Sequence, residues 1–237
     1  MCDISVVSQR AAYDLVLLDL DGTLTDSAPG IINCIRYALD DVGIPCPDDA
    51  AMRSHLGPPL SVTFSEHFGM DPDATDRAIA KYRERFHDVG MFENSVYDGI
   101  PELLDWLDES TATVAVSTSK PTPSATRILE HFGLDGHFAF IGGAELHGPR
   151  QHKADVIAHT LEELAAASRF TPGDSVVMIG DREHDIRGAQ AHAIPGIGVL
   201  WGYGDERELV SAGAVAVAGS PVELLQILQL DDLHPGH

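Results

Sequence analysis

The chain has 237 residues, 44% hydrophobic and 22% charged, a composition typical of a soluble globular protein with a sizeable core. Its 15 Lys and Arg residues against 37 Asp and Glu residues give a formal net charge of −22, which disfavours nucleic acid polymers and anionic membranes as partners. The three cysteines lack paired spacing, which disfavours a disulfide framework or a cysteine zinc site and favours a reducing compartment. The sequence contains no signal-peptide pattern and no membrane-spanning stretch, so we expect a cytoplasmic protein.

The first predicted strand is an apolar run of the kind buried on both faces, and it ends in two carboxylates and a glycine. Because residues two apart on a strand share a face, Asp19 and Asp21 can point towards one position. Two such carboxylates repel each other unless a cation lies between them, and Gly22 lets the backbone turn sharply beside a ligand. The alternative is a hairpin in which Asp-Gly forms the turn and residues 15–20 pair with residues 23–25.

Residues 27–92 differ from the rest of the chain because their apolar spacing is helical throughout. The spacing predicts helices at residues 29–42, 48–56, 60–68 and 73–89. We interpret this segment as a helical cap inserted after the first strand. Arg53, His55 and the turn that begins at Gly57 are the candidates for contact with a leaving group, although an ordinary helix end and loop explain them equally well.

From residue 96 the pattern alternates between strands and helices. Strands are predicted at 113–116, 138–141, 175–179, 197–200 and 214–217, and helices at 100–107, 124–132, 154–167, 185–192, 206–212 and 221–228. Alternation of this kind predicts an α/β fold with a doubly wound parallel sheet. Residues 13–26 and 93–230 then form a Rossmann-like core, and residues 1–12 and 231–237 form terminal tails.

In open parallel sheets, ligands bind beyond the carboxyl ends of the strands. The polar side chains expected there are Asp19 and Asp21, the run from Ser117 to Lys120, Lys153, Asp181 and Asp185. Each has a purely structural alternative, because hydroxyls cap helices, lysines lie at surfaces and acidic groups complement helix N-termini. Taken together, the acidic groups suit Mg²⁺, and the hydroxyl and lysine donors suit phosphoryl oxygens, so the set predicts phosphoryl transfer.

The same residues resemble the motifs of the haloacid dehalogenase superfamily, in its phosphatase branch, over residues 13–228. The resemblance rests on Asp19-Leu20-Asp21-Gly22-Thr23-Leu24, Thr118-Ser119-Lys120-Pro121, His152-Lys153-Ala154-Asp155, Gly180-Asp181-Arg182-Glu183-His184-Asp185 and Gly202-Tyr203-Gly204. These motifs are most similar to the phosphoglycolate phosphatase-like and 5′-nucleotidase-like members. The resemblance implies a Mg²⁺-dependent phosphatase that hydrolyses a small phosphate monoester through an aspartyl-phosphate.

The resemblance also implies a role for each matching residue. Asp19 would be the nucleophile, and Asp21 would donate a proton to the leaving group and then accept one from water. Mg²⁺ would be held by the Asp19 carboxylate, the Asp21 carbonyl and the Asp181 carboxylate, and Asp185 would act through a metal-bound water or from behind these ligands. The phosphoryl group would be bound by Gly22, Thr118, Ser119 and Lys153, and the Thr23 amide would assist.

Two alternatives stay open from the sequence. A phosphomutase of the β-phosphoglucomutase type would share all these motifs, and a non-catalytic regulatory module would carry a stable phospho-aspartate. A dehalogenase is disfavoured because its chemistry needs neither Asp21 nor a metal, and the histidines lack the paired spacing of a zinc site. The substrate is expected to be a small phosphorylated metabolite, and the protein is expected to be a monomer or a homodimer.

Overall fold

The structure is a computed structural model that describes residues 11–53, 56, 60–145 and 148–229. The chain divides into two compact units: a core unit, formed by the chain up to Leu24 and from Tyr97 onward, and a helical unit, Thr25–Val96. No helix within the described ranges is both long enough and apolar enough to cross a membrane.

The strands form one large sheet and one short ribbon. They are β1 (Leu15–Leu18), β2 (Thr25–Asp26), β3 (Ser95–Val96), β4 (Thr113–Pro121), β5 (Phe140–Ala144), β6 (Val176–Gly180), β7 (Gly196–Val199) and β8 (Ala216–Ala218). The large sheet has the order β5-β4-β1-β6-β7-β8, and its neighbouring strands pair in parallel. The predicted α/β class with a parallel sheet is therefore confirmed. The hairpin interpretation of the first motif is wrong, because β1 pairs in parallel with β4 and β6 instead of folding back on itself.

The helices alternate with the strands of the core unit and make up most of the helical unit. They are α1 (Ala28–Asp41), α2 (Asp49–Arg53), α3 (Leu60–Val62), α4 (Pro72–Asp88), α5 (Ile100–Glu109), α6 (Thr122–Phe132), α7 (Lys153–Ala166), α8 (Glu183–Gln190), α9 (Glu206–Ala212) and α10 (Pro221–Gln229). A π-helix, Thr63–His67, continues α3. The helix predicted at 60–68 is thus only partly α-helical.

The centre of the sheet is the hydrophobic core. All four residues of β1 are buried, and side chains of α7 and β6 such as Ile157 and Met178 pack in the same cluster as Leu15 and Leu17. Each buried aliphatic side chain stabilises the fold by about 1.5–3 kcal/mol relative to exposure. The strand that leads into Asp19 is therefore held on both edges by hydrogen bonds and on both faces by packing.

The boundaries of the core unit differ from those expected from the sequence. Ala11 and Ala12 are buried, and the Ala12 N–H donates to the Leu228 carbonyl at 2.8 Å, so the packed core begins before residue 13. Strand β4 continues to Pro121, five residues beyond its predicted end at Val116. The polar sequence of that extension lacks the apolar run or alternation that identifies a strand.

The helical unit begins and ends in the β2–β3 ribbon, in which Thr25 pairs with Val96 and Asp26 with Ser95. Helices α1 and α4 pack closely within it, and a Cβ on Gly30 would overlap the carbonyl oxygen of Gly90. The Arg85 guanidinium makes two hydrogen bonds to Glu93, of 2.6 and 2.9 Å. This paired geometry ties the end of α4 to the returning segment that leads into β3.

Candidate active site

The loop after β1 sets the positions of the first two carboxylates. The Asp19 N–H donates to the Ile179 carbonyl at 2.9 Å, so Asp19 continues the pairing of β1 with β6 by one residue. The chain then turns at Gly22, whose φ of +80° is unfavourable for other residues. The Thr23 and Leu24 amides both donate to the Leu20 carbonyl, at 3.3 and 2.9 Å, which closes the turn. The Thr23 amide proposed for phosphate binding is therefore already used within this turn.

Three carboxylates meet at the carboxyl ends of β1 and β6. Asp19, Asp181 and Asp185 are buried, and each offers an oxygen within 4.8 Å of the others. Burial, together with the negative charges of Asp185 and Asp19, raises the pKa of Asp181 well above its usual range. Burial also raises the pKa of Asp185, although Lys153 opposes this shift. The protein alone thus leaves excess negative charge in a dry site, and a cation would relieve it.

Lys153, the first residue of α7, partly neutralises this cluster. Its Nζ lies 2.6 Å from Asp185 Oδ1 and 2.9 Å from Asp19 Oδ1, and it donates to the Ser117 carbonyl at 2.9 Å. The residue is only 5% exposed. Burial alone would lower the pKa of Lys153, but the carboxylates of Asp185 and Asp19 outweigh it and raise the pKa. Lys153 is therefore a buried, charged group and not the surface lysine of the structural alternative.

The hydrogen bonding of the Asp181 carboxylate suits a ligand of a divalent cation. Its Oδ2 accepts the Tyr203 N–H at 2.7 Å, whereas its buried Oδ1 has no hydrogen-bond partner among the described residues. An unpaired carboxylate oxygen in a buried position is costly unless a cation or a proton occupies it. All-oxygen ligation by carboxylates suits a hard divalent metal. The residues present therefore fit a metal held by Asp181 and Asp19.

Asp185 also caps the N-terminus of a helix, the structural alternative that the sequence left open for it. Its Oδ2 accepts the Arg182 N–H at 3.1 Å, where α8 begins, while its Oδ1 contacts Lys153. One carboxylate thus caps a helix and orients the buried lysine. Because both oxygens have these neighbours, Asp185 is better placed to position Lys153 than to ligate a metal directly.

The loop after β7 forms part of the site, although no role was predicted for it beyond the resemblance. Trp201 Nε1 donates to the Thr23 carbonyl at 2.9 Å, and the Tyr203 amide holds Asp181. A Cβ on Gly202 would overlap both the Gly22 carbonyl oxygen and the Asp181 carboxylate. This close approach is the physical reason for glycine here, and the two glycines that flank Tyr203 are the signal that could have identified the loop.

The extension of β4 contributes hydroxyl groups and a second lysine. Thr118 is buried, and its Oγ1 accepts the Lys120 N–H at 3.2 Å, whereas Ser119 is exposed. No side chain from this run caps α6, so the helix-cap alternative is wrong. Lys120 Nζ lies 2.8 Å from Asp21 Oδ2. In the sequence Lys120 was noted only as part of a motif, and no role was predicted for it.

The residues considered for leaving-group contact belong to the helical unit. Arg53 is about half-exposed and lies 3.6 Å from Asp26 Oδ2. His55 and Gly57 lie outside the described residues. Of the three candidates, the structure therefore places only Arg53, in an ion pair within its own unit.

Comparison with known proteins identifies the family of this chain. The model of the haloacid dehalogenase-like hydrolases matches residues 16–199, which include every carboxylate and lysine described above. The chain belongs to this family. The predicted resemblance is thus confirmed, and the protein is a haloacid dehalogenase-like phosphatase.

Individual relatives match most of the length of this haloacid dehalogenase-like protein. A 5′-nucleotidase from Pseudomonas aeruginosa is 41% identical over 217 residues, which cover 92% of this chain and 96% of that protein. Tyrosine-protein kinase PtkA from Mycobacterium tuberculosis is 43% identical over 216 residues, which cover 90% of this chain and 72% of the kinase. A crystal structure described as a predicted phosphatase from Clostridium acetobutylicum has a TM-score of 0.84 and 43% identity, covering 92% of this chain and 99% of that one.

The raised pKa of Asp181 predicts how the stability of the metal-free protein depends on pH. Below about pH 4, the usual value for aspartate, this carboxyl is protonated in both the folded and unfolded states. As the pH rises towards and through the higher folded-state pKa, the unfolded state loses its proton first, so the wild type loses stability. Asp181→Asn lacks this loss and is expected to be more stable than the wild type at neutral pH.

Urea denaturation in chelator, from about pH 4 to about pH 8, measures this difference. The advantage of Asp181→Asn should grow with pH, and saturating Mg²⁺ should stabilise the wild type but not the variant. A difference that stays constant with pH would contradict the assigned shift. Asp105→Asn, a change at an exposed position on α5, is the matched control.

Proposed function

We propose that this phosphatase hydrolyses a small phosphate monoester, with a nucleoside 5′-monophosphate as the first candidate, through an aspartyl-phosphate on Asp19 and with Mg²⁺ as cofactor. The observation that carries the proposal is the buried cluster in which Lys153 contacts Asp19 while Asp181 keeps one unpaired oxygen. A phosphate bound there would meet a nucleophile, a fixed positive charge and a cation site at once. The similarity to a 5′-nucleotidase over 92% of this chain supports the choice of substrate class.

The first chemical step transfers the phosphoryl group to the protein. A carboxylate oxygen of Asp19 attacks phosphorus, and the bond from phosphorus to the leaving oxygen breaks. Asp21 supplies the proton that the leaving oxygen needs. Lys153 offsets the charge of Asp19, which would otherwise repel the anionic ester, and it remains close to the phosphoryl oxygens as charge develops on them.

The second step restores the enzyme. Asp21, now deprotonated, accepts a proton from a water molecule whose oxygen attacks phosphorus. The bond between phosphorus and the Asp19 oxygen breaks, and inorganic phosphate leaves. Thr118 is buried at the carboxyl end of β4, where its hydroxyl would help to hold the phosphoryl group. Gly22 would contribute a backbone amide, and the exposed Ser119 would contact only the outer part of a bound ester.

The cation would be held by the carboxylates of Asp19 and Asp181 and by the Asp21 carbonyl. When bound, Mg²⁺ neutralises part of the charge on the phosphoryl oxygens and lowers the energy of the transition state. Asp185 would contribute indirectly, since it holds Lys153 at 2.6 Å and caps α8.

The helical unit is proposed to act as a cap that closes over the bound ester and excludes bulk water. Its two chain crossings lie side by side in the β2–β3 ribbon, a suitable place for a hinge. Arg53 carries the positive charge with which such a cap could contact an anionic substrate, and His55 and Gly57 belong to the same proposed contact region.

Phosphate release from a panel of esters tests the proposal. The panel contains adenosine 5′-monophosphate, phosphoglycolate, pyrophosphate and a sugar phosphate, each with Mg²⁺ and with chelator. We expect Mg²⁺-dependent release that is fastest with the nucleotide. Equal rates in chelator would contradict the metal role, sugar phosphate isomerisation without phosphate release would favour a mutase, and a stable acyl-phosphate without turnover would favour a regulatory module.

A second candidate function is favoured by the similarity to tyrosine-protein kinase PtkA. In that case a phenol hydroxyl would take the place of water and accept the phosphoryl group from Asp19. Incubation with γ-labelled ATP and a tyrosine-containing peptide separates the two functions, because a kinase transfers label to the peptide and a phosphatase releases it as phosphate. Asp19→Asn is the control for both outcomes.

A further inference from the structure

Each of the two aspartates of the first motif has its own lysine. Lys153 contacts Asp19 and Asp185, whereas Lys120 Nζ lies 2.8 Å from Asp21 Oδ2. Lys120 is only 9% exposed, and the Asp21 side chain is about one-quarter exposed. The second ion pair is thus largely screened from water and is short enough to fix the orientation of the Asp21 carboxylate.

The backbone around Lys120 is built to bring its side chain to this position. In the pairing of β4 with β5, Thr118 lies opposite Gly143 and Pro121 opposite Ala144, so residues 119–120 form an insertion in β4. The Thr118 hydroxyl accepts the Lys120 N–H inside the insertion. A Cβ on Gly143 would lie 2.5 Å from the Lys120 carbonyl oxygen, so a glycine there permits the bulge to form.

The ion pair leaves the two oxygens of Asp21 in different environments. Oδ2 contacts Lys120, and the buried Oδ1 has no hydrogen-bond partner among the described residues. Rotation of the carboxylate would separate the ion pair. Lys120 therefore keeps Oδ1 as the oxygen that is available to exchange a proton with a leaving group or with water.

We propose that Lys120 is a positioning residue that orients Asp21 for proton transfer, separately from the phosphate-binding role of Lys153. This inference rests on the proposed function. If Lys120 acts in this way, its removal should lower the reaction rate most for esters whose leaving group needs a proton. An alkoxide leaving group, as in adenosine 5′-monophosphate, needs that proton in the transition state, whereas 4-nitrophenolate is stable without it.

The test compares Lys120→Met with the wild type on these two esters in single-turnover experiments that follow release of adenosine or 4-nitrophenolate. General acid catalysis contributes about 10²–10⁴-fold, so we expect a loss of about 100-fold for the nucleotide and less than about 10-fold for the aryl ester. Lys120→Arg should restore most of the nucleotide rate, because a guanidinium can form the same ion pair. Asp21→Asn combined with Lys120→Met should show little more loss than Asp21→Asn alone.

Lys81→Met is the matched control, because Lys81 lies in the helical unit and pairs with Glu84. It should leave both rates unchanged. Equal losses on the two esters in Lys120→Met, or additive losses in the double variant, would overturn the positioning role. If Lys120→Met does not fold, Lys120→Gln provides the same comparison. A wild type that hydrolyses neither ester would overturn the proposed function, and this inference with it, whereas equal losses would overturn the inference alone.

Discussion

Asp19→Asn is expected to reduce phosphate release by about 10⁴-fold or more, because it removes the oxygen nucleophile on which the proposed chemistry depends. The amide has nearly the same shape as the carboxylate, so packing at the end of β1 should be kept. Lys153 keeps its 2.6 Å contact with Asp185, and the variant should therefore fold normally. Steady-state phosphate release with the preferred ester, together with thermal unfolding, measures both effects.

The phosphorylated intermediate gives a second readout for Asp19. Rapid acid quench of the wild type with a labelled ester should trap protein-bound label, and Asp19→Asn should trap none. Asp105→Asn, an exposed change of the same kind on α5, should behave like the wild type. Label retained in Asp19→Asn would place the nucleophile elsewhere and reject the proposed mechanism.

Lys153→Met is expected to have the second largest effect. It should lower both the rate of phosphate release and the free energy of unfolding. The variant leaves Asp19 and Asp185 buried without the lysine that contacts both of them. Breaking a buried ion pair by removing one partner costs about 3–5 kcal/mol, so the free energy of unfolding in chelator should fall by about 3 kcal/mol. Urea denaturation at neutral pH measures this loss.

Two further variants separate the charge effect from lost packing. Asp185→Asn in the Lys153→Met background removes one of the uncompensated charges and should recover part of the stability. Lys81→Met, which removes a lysine of the helical unit, should cost less than about 1 kcal/mol, as usual for exposed ion pairs. A stable, active Lys153→Met protein would show that the cluster does not depend on the lysine charge.

The parts of the fold and site that were predictable are those with strong local patterns. The apolar run before Asp19 identifies a buried strand, and β1 is indeed paired on both edges. Because parallel strands place their carboxyl ends at one edge, the predicted strands already place Asp19 and Asp181 at the same edge of the sheet. That the two residues meet follows from the pairing of β1 with β6, which the sequence did not predict. Lys153 was also expected at this edge from its place at the start of a helix, but its approach to Asp19 depends on the tertiary packing of α7.

The parts that were missed depend on contacts between distant residues or on very short elements. Lys120 reaches Asp21 only because two residues are inserted in β4 opposite Gly143, and no periodicity reveals such an insertion. The β2–β3 ribbon has two residues on each side, too few for a strand pattern. The close approach of Gly202 to Asp181 likewise appears only when β1 and the loop after β7 are brought together.

The β2–β3 ribbon has a consequence for how such an enzyme can diversify. Residues 25–26 and 95–96 pair directly, so the helical unit enters and leaves through neighbouring points of the chain. An insert of any length or shape whose ends meet in this way can replace it without stretching β1 or its loop. Natural selection can therefore exchange or reshape the segment between the two crossings without disturbing β1 or the loop that carries Asp19 and Asp21.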